Sequence, residues 1–399
     1  MPYITINTEA SNLVEFQALE SGDHLAAFIC GASFYQKLTE NDNPVPPYKL
    51  FETVADGPQA STVLLSLFNN QVLAGTSSGF GGTSSAGFSG GTTLDRELHS
   101  MLNYLQYGGR IVAATGATAL AITDLPIDSV FCEDRTKFND VINLVSIRQD
   151  CIGILGGSFE YHNGSTGTYP TSIAQLSLNG ITGISGATAI DELFFSVVGR
   201  KTRSRFYGAG QTGTINILLT SDAAGCMTRV DNNIGPWTAP AGTLNGIITT
   251  DFKDFQPKLS EDDIFTLYNT YGSNTIKKIF GSDFLYLWGD ATQEGTDLLR
   301  MQLGISRLIL HIKRIIKPLL ESVLFGPNNV TVRRNLTNSI QTLMAEIQRR
   351  NGISSFSVVC DESNNTANVI DNRSLVIDLS FKPYQSIETI TFRFTVNRD

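Results

Sequence analysis

Charge is scarce in this chain. Asp, Glu, Lys and Arg make up 17% of its 399 residues, against about a quarter in an average soluble domain, so much of the surface is uncharged or covered by a partner. Basic residues are outnumbered 29 to 38, and the net charge of −9 argues against a chain-wide basic footprint for nucleic acid or an anionic membrane. Apolar runs are short. None reaches the roughly 18 uninterrupted residues of a membrane span, and the opening MPYITINTEASNLVEF has no cationic stretch followed by an apolar one. The expectation is a soluble chain that starts in the cytoplasm without a signal peptide. The five cysteines, Cys30, Cys132, Cys151, Cys226 and Cys360, are odd in number, far apart and never in a C-x-x-C pair. That fits neither a disulfide framework nor a zinc site, and they read as buried thiols.

Catalytic signatures are missing too. There is no G-x-x-x-x-G-K-[ST] phosphate loop and no G-x-S-x-G elbow, and His24, His99, His162 and His311 fit no H-E-x-x-H spacing. Glu261, Asp262 and Asp263 stand where a helix begins, complementing its dipole without any chemistry. The expectation is a non-enzyme with no catalytic residue, cofactor or metal. A hydrolase or nucleotide-binding enzyme built on the α/β half is the rival from another class. It rests on an alternating pattern alone, which licenses no activity.

What is present is length enough for two or three domains and a clear change of character along the chain. Ile4 and Ile6 alternate with polar neighbours as a strand does. Asn41 to Pro47 has the chemistry of an extended linker. Gly75 to Thr92 holds seven glycines in eighteen residues, too little side chain to offset the cost of ordering, so a mobile surface loop is expected. Helix and strand then alternate: LDRELHSMLNYLQYG, RIVAATG, FNDVINLVSIRQ and CIGILGG, followed by strands at 193–198 and 215–219 that bracket a tight Arg/Lys/Gly segment. That is an α/β pattern. Past Trp237 the pattern is α+β. A helix at Glu261–Tyr271 precedes a long one with a stripe of Ile305, Leu308, Ile309, Ile312, Ile316, Leu319, Leu320 and Val323, from which Arg307, His311 and Arg314 stand off. Pro318 should kink or end it. A second helix carries Leu336, Ile340, Leu343 and Ile347 and is capped at Asn351-Gly352. Two alternating strands follow, Leu375–Phe381 and Ile390–Val396, with a turn at Pro383–Ser386.

Two features need a partner. Between Arg300 and Arg350 nine basic residues face only Glu321 and Glu346, a local +7 in an acidic chain. It reads as a solvated helix face, a DNA contact without a recognition motif, or a site for an acidic protein. The strands at the two chain ends have no nearby partner in sequence. Pairing with neighbouring copies would be β-augmentation, and a contact that does not close gives a helical filament.

Four blocks in order resemble the contractile tail sheath proteins of myovirus-type bacteriophages and related contractile injection systems. They are LTSDAAGCMTRVDNNIGPWTAPAG, YNTYGSNTIKKIFGSDFLYLWGDAT, ISRLILHIKRIIKPLLESVLFGPNN, and GISSFSVVCDESNNTANVIDNRSLVIDLSFKPYQSIETITFRFTV. Pro318 and Gly326 depart from the pattern of the third. The resemblance covers roughly residues 219–399, with weaker agreement over 94–160. It implies an outer α/β N-terminal region at 21–243, an inner α+β C-terminal domain at 244–384 with two long helices and a mixed sheet facing a tube, and extended strand arms at 1–20 and 385–399. It also implies a structural subunit of the virion tail, made and assembled in the host cytoplasm, that stacks in helical rings around a tail tube and contracts to drive the tube through the host envelope. The same role in a secretion or extracellular injection system fits equally. Implied partners are other copies, the tail tube protein, and baseplate and tail terminator proteins, with no direct nucleic acid and no membrane insertion. Inter-subunit strand pairing falls to Ile4, Ile6, Ile390, Phe392, Phe394 and Val396. An electrostatic tube contact falls to Arg333, Arg334, Arg349 and Arg350, then Lys313, Arg314 and Lys317.

Overall fold

The computed structural model describes residues 24–40, 42–51, 93–121, 123–157, 173–177, 191–204, 214–294 and 301–387. Ile4, Ile6, the loop at 75–92, and Ile390, Phe392, Phe394 and Val396 lie outside the described residues.

The strands are β1 (Leu25–Ile29), β2 (Lys49–Phe51), β3 (Arg110–Ala114), β4 (Ser129–Cys132), β5 (Ile152–Gly156), β6 (Phe194–Val197), β7 (Arg200–Ser204), β8 (Thr214–Leu218), β9 (Ile247–Ile248), β10 (Asp254–Gln256), β11 (Ser273–Lys278), β12 (Leu285–Trp288), β13 (Ile353–Val359) and β14 (Asp378–Pro383). The main helices are α1 (Ala32–Leu38), α2 (Thr93–Leu105), α3 (Phe138–Arg148), α4 (Thr220–Asn233), α5 (Glu261–Tyr271), α6 (Leu303–Val323) and α7 (Val330–Arg349).

Among the described residues nine strands form one mixed sheet, in the order β2-β3-β1-β4-β5-β6-β11-β12-β9. From β3 to β11 neighbouring strands run parallel. The edge pairs β2/β3, β11/β12 and β12/β9 are antiparallel. LAAFI and IGILG are buried along their whole length, as strands of a parallel sheet covered on both faces must be. Helices α2 and α4 pack on each other, and α3 and α4 both pack on β4 and β5. The sheet runs on past residue 243: β9, β11 and β12 continue it, and Ile248, Ile276, Leu285 and Leu287 share its core.

Two local details go beyond the sequence reading. The tight Arg/Lys/Gly segment after residue 198 holds a strand: Arg200–Ser204 is the central strand of a three-stranded sheet, β10-β7-β8. Its charges are buried because partners meet them, and this defeats a hydropathy reading. In α7 the buried stripe is Leu336, Ile340, Met344 and Ile347, with Leu343 half-buried.

A second core joins Leu308, Ile312 and Ile316 of α6 to the α7 stripe and to Ile353 and Val358 of β13. Pro318 does not end α6, which runs on to Val323. Asn351 takes the left-handed conformation after α7, φ 60°, and Gly352 N–H returns to Ile347 C=O at 2.9 Å. Strands β13 and β14 form a separate antiparallel hairpin, with Phe356, Leu379 and Phe381 turned toward the helices. Elsewhere, the turn between β11 and β12 is tied by Ser282 N–H to Ile279 C=O at 3.1 Å and by a 2.8 Å hydrogen bond between the Ser282 and Tyr286 hydroxyls. That turn presents Phe280 fully to solvent. All five cysteines are buried free thiols, and burial raises each above its ordinary range, Cys226 to about 12.

Candidate functional site

The most concentrated polar chemistry lies under α4. Asp222 Oδ1 accepts from Lys201 Nζ at 2.8 Å and from Asn103 Nδ2, Tyr107 OH and Thr250 Oγ1, each at 2.9 Å. Asn103 Oδ1 in turn accepts from Lys201 at 2.8 Å and from Arg203 at 2.9 Å. Burial lowers the Lys201 ammonium to about 8, a fall that Asp222 partly opposes. A depressed lysine in a carboxylate cluster is the signature of many active sites. Here Lys201 and Arg203 are 0% exposed and Asp222 1%, so no substrate reaches them. The cluster is a framework that ties α2, β7 and α4 to the segment before β10. The sequence carries its signal in DAAG: Asp222 bonds the Tyr107 hydroxyl, and Gly225, one turn on, leaves room for the Tyr107 ring, which a Cβ would meet at 2.2 Å. Among the described residues no group of His, Cys, Asp or Glu could hold a metal ion, and no helix is long and apolar enough to cross a membrane.

The helix pair is fastened to the large sheet by buried ion pairs. Arg307 of α6 and His24, just before β1, share the carboxylate of Asp231. Burial would raise that carboxyl, but Arg307 and His24 outweigh it and hold it low. Two turns further along α6, Arg314 pairs with Asp128 and donates to Ile127 C=O at 3.0 Å. Trp237 lies 5.9 Å from the His311 ring and under the Arg350 guanidinium, 5.0 Å from it. Burial, helped by Arg314, lowers His311 to about 4. Asp231 and Trp237 of the sequence block therefore lie at the seam between two cores.

The basic residues singled out in the sequence are dispersed. Arg314 and Lys317 point inward, and Lys317 reaches Glu321 at 3.4 Å. Arg333 is 4% exposed, bonded to Asn328 at 2.8 Å and paired with Glu362 at 3.4 Å. Lys313 is half-buried. Arg350 is committed to Trp237 and to the Ile234 carbonyl. Arg349 is exposed and paired with Glu346 at 2.6 Å, and Arg334 is exposed. Between them the outer face of α7 carries Asn335, Asn338, Ser339, Gln341, Thr342 and Gln348, a row of uncharged hydrogen-bonding groups.

Two further features concern the hairpin. Among the described residues, β13 pairs only with β14, so each has an outer edge without a strand neighbour. Leaving β14, the chain crosses to the large sheet, where Ser386 donates its hydroxyl to Asp290 Oδ2 at 2.7 Å and its amide to Gln302 Oε1 at 3.1 Å.

Residues 302–397, which hold the helix pair and this hairpin, match the family described as phage tail sheath C-terminal domain. That match covers about a quarter of the chain. A stretch of 180 residues is 32% identical to the tail sheath protein of Vibrio phage KVP40, and one of 181 residues is 29% identical to that of Enterobacteria phage T4. Each alignment covers 45% of this chain but only 26% and 27% of the relatives, so the chain matches about a quarter of their length. The fold is similar along its whole length to the sheath of an extracellular contractile injection system in the contracted state. The TM-score is 0.66 and the identity 15%, over 99% of this chain and 98% of that one. The matched segment thus lies in a chain whose fold of helices and mixed sheet is similar to that structure.

Proposed function

We propose that this chain is the repeating structural subunit of a contractile tail sheath, stacking in helical rings around a tail tube and shortening to drive that tube through the host envelope. The observation that carries this is the two-stranded sheet β13–β14, whose outer edges have no strand neighbour among the described residues, in a chain whose sequence alternates as strands do at Ile4 and Ile6 and at Ile390, Phe392, Phe394 and Val396. Unpaired edges invite strands, and strands supplied by neighbouring copies make a heterologous contact that propagates as a helix. In this reading residues 1–20 and 385–399 are the exchanged arms. Residues 21–243 face outward, and residues 244–384 face the tube. The partners are other copies, the tube, the baseplate and the terminator, and the site of action is the virion tail, assembled in the host cytoplasm. The whole-length likeness to the injection-system sheath supports a second reading, the same subunit in an injection particle, which the neighbouring genes would distinguish.

Negative-stain electron microscopy of the purified chain, alone and with its tube protein, tests the proposal. Hollow tubules or stacked rings of uniform width are expected, and deletion of residues 1–15 should leave a folded monomer that forms none. A chain that stays monomeric with the tube present overturns the reading, and tubules that persist after the deletion overturn the role of the N-terminal arm.

A further inference from the structure

The roots of the two terminal segments are held at one place. Residues 1–23 lead into His24, whose ring is fixed on both sides, Nδ1 at 2.6 Å from Asp231 Oδ2 and Nε2 at 2.8 Å from Ser129 Oγ. The other oxygen of Asp231 is taken by Arg307. At the far end, Ser386 is held by Asp290 and Gln302, and the other oxygen of Asp290 accepts from Tyr268 OH at 2.9 Å. Each carboxylate is gripped from a second element, so neither is free to follow a pull on the chain. Gln302 is the N-cap of α6, and Arg307 lies in its second turn, five positions on and about 7 Å along the axis. The next residue outward, Ile387, is 83% exposed.

We propose that the start of α6, from Gln302 to Arg307, is a common mooring for both terminal segments. A pull on residues 390–396 by one neighbouring copy is then met by a pull on residues 1–23 by another through a single rigid helix end. This rests on the sheath reading. Behind Ser386, Tyr384 N–H donates to Gly352 C=O at 3.4 Å, just past the end of β14 at Pro383. Releasing Ser386 therefore frees the chain back to Tyr384, about two residues or roughly 7 Å of slack, and the register of the outgoing segment is no longer set by the subunit that sends it.

The test uses the full-length chain with Ser386→Ala and Ser386→Thr. Both variants should melt as the unsubstituted protein does. Ser386→Ala should raise the protein concentration needed for tubules about tenfold, the order expected for losing a hydrogen bond to a carboxylate, and should speed amide exchange at Ile387 in the monomer. Ser386→Thr, which keeps the hydroxyl, should restore both. Unsubstituted tubules together with an Ala variant that assembles equally well overturn the mooring alone, as does a Thr variant that behaves like Ala. An unsubstituted chain that forms no tubules overturns the sheath reading and the mooring with it.

Discussion

Glu97 is a carboxyl buried to 1% exposure that accepts a hydrogen bond from Gly31 N–H at 2.6 Å. Burial raises it to about 7, against 4.5 when free. Between those values the folded chain keeps a proton that the unfolded chain has lost, so this group's contribution to stability falls as pH rises from about 4.5 to 7 and is flat above. Glu97→Gln keeps the acceptor for Gly31 and removes the ionisation. It should stabilise the protein by about 2–3 kcal/mol at pH 8 and have little effect at pH 4.5, as checked by denaturant unfolding at the two pH values. Equal effects at both would show that Glu97 ionises freely. His311, lowered to about 4 from 6.5, works the other way, its contribution falling as pH drops through that window. At this scale the sequence was partly legible. Asp222, Gly225, Asp231 and Trp237 stood in a recognisable block, but its purpose needs Lys201, Asn103 and Tyr107, which are 21 to 119 residues distant from Asp222.

Helix α4 shows how an element depends on one missing side chain. Gly to Ala inside a helix ordinarily gains about 1 kcal/mol. At position 225 the new methyl would stand 2.2 Å from the Tyr107 ring, which cannot swing away while its hydroxyl is bonded to Asp222. Gly225→Ala should therefore destabilise by about 1–3 kcal/mol in a denaturation measurement, and a gain in stability would show that the ring can move. Helices α3, α5, α6 and α7 and strands β3, β5, β6 and β8 were readable because their apolar periods are local. Strand β7 was not, because buried Arg200, Lys201 and Arg203 look like surface until Asp222 and Asn103 are brought to them. Pro318 reads as a break, yet α6 continues, since the packing of Leu319, Leu320 and Val323 against the second core outweighs one missing backbone hydrogen bond.

For the whole molecule, the nine-stranded sheet joins β6 to β11 across more than seventy residues, a pairing that no local pattern announces. The charge excess of 300–350 is likewise redistributed by folding. With Arg307, Arg314 and Arg333 paired inside the subunit, Arg334 and Arg349 are the outward cations of α7. The double variant Arg334→Glu, Arg349→Glu should leave tubule formation intact and reduce capture of the tube at low salt. The difference should shrink toward physiological salt, where exposed charges are screened over about 8 Å, and equal capture at low salt would place the contact elsewhere. The cysteines have a practical consequence. Because all five thiols are buried and held in the unreactive protonated form, the natural chain is already blank toward maleimide and iodoacetamide reagents. One cysteine substituted for Phe280, on its braced turn, would be the single point of attachment for a dye or spin label, and paired dyes there would test the proposed contraction by following the distance between neighbouring copies.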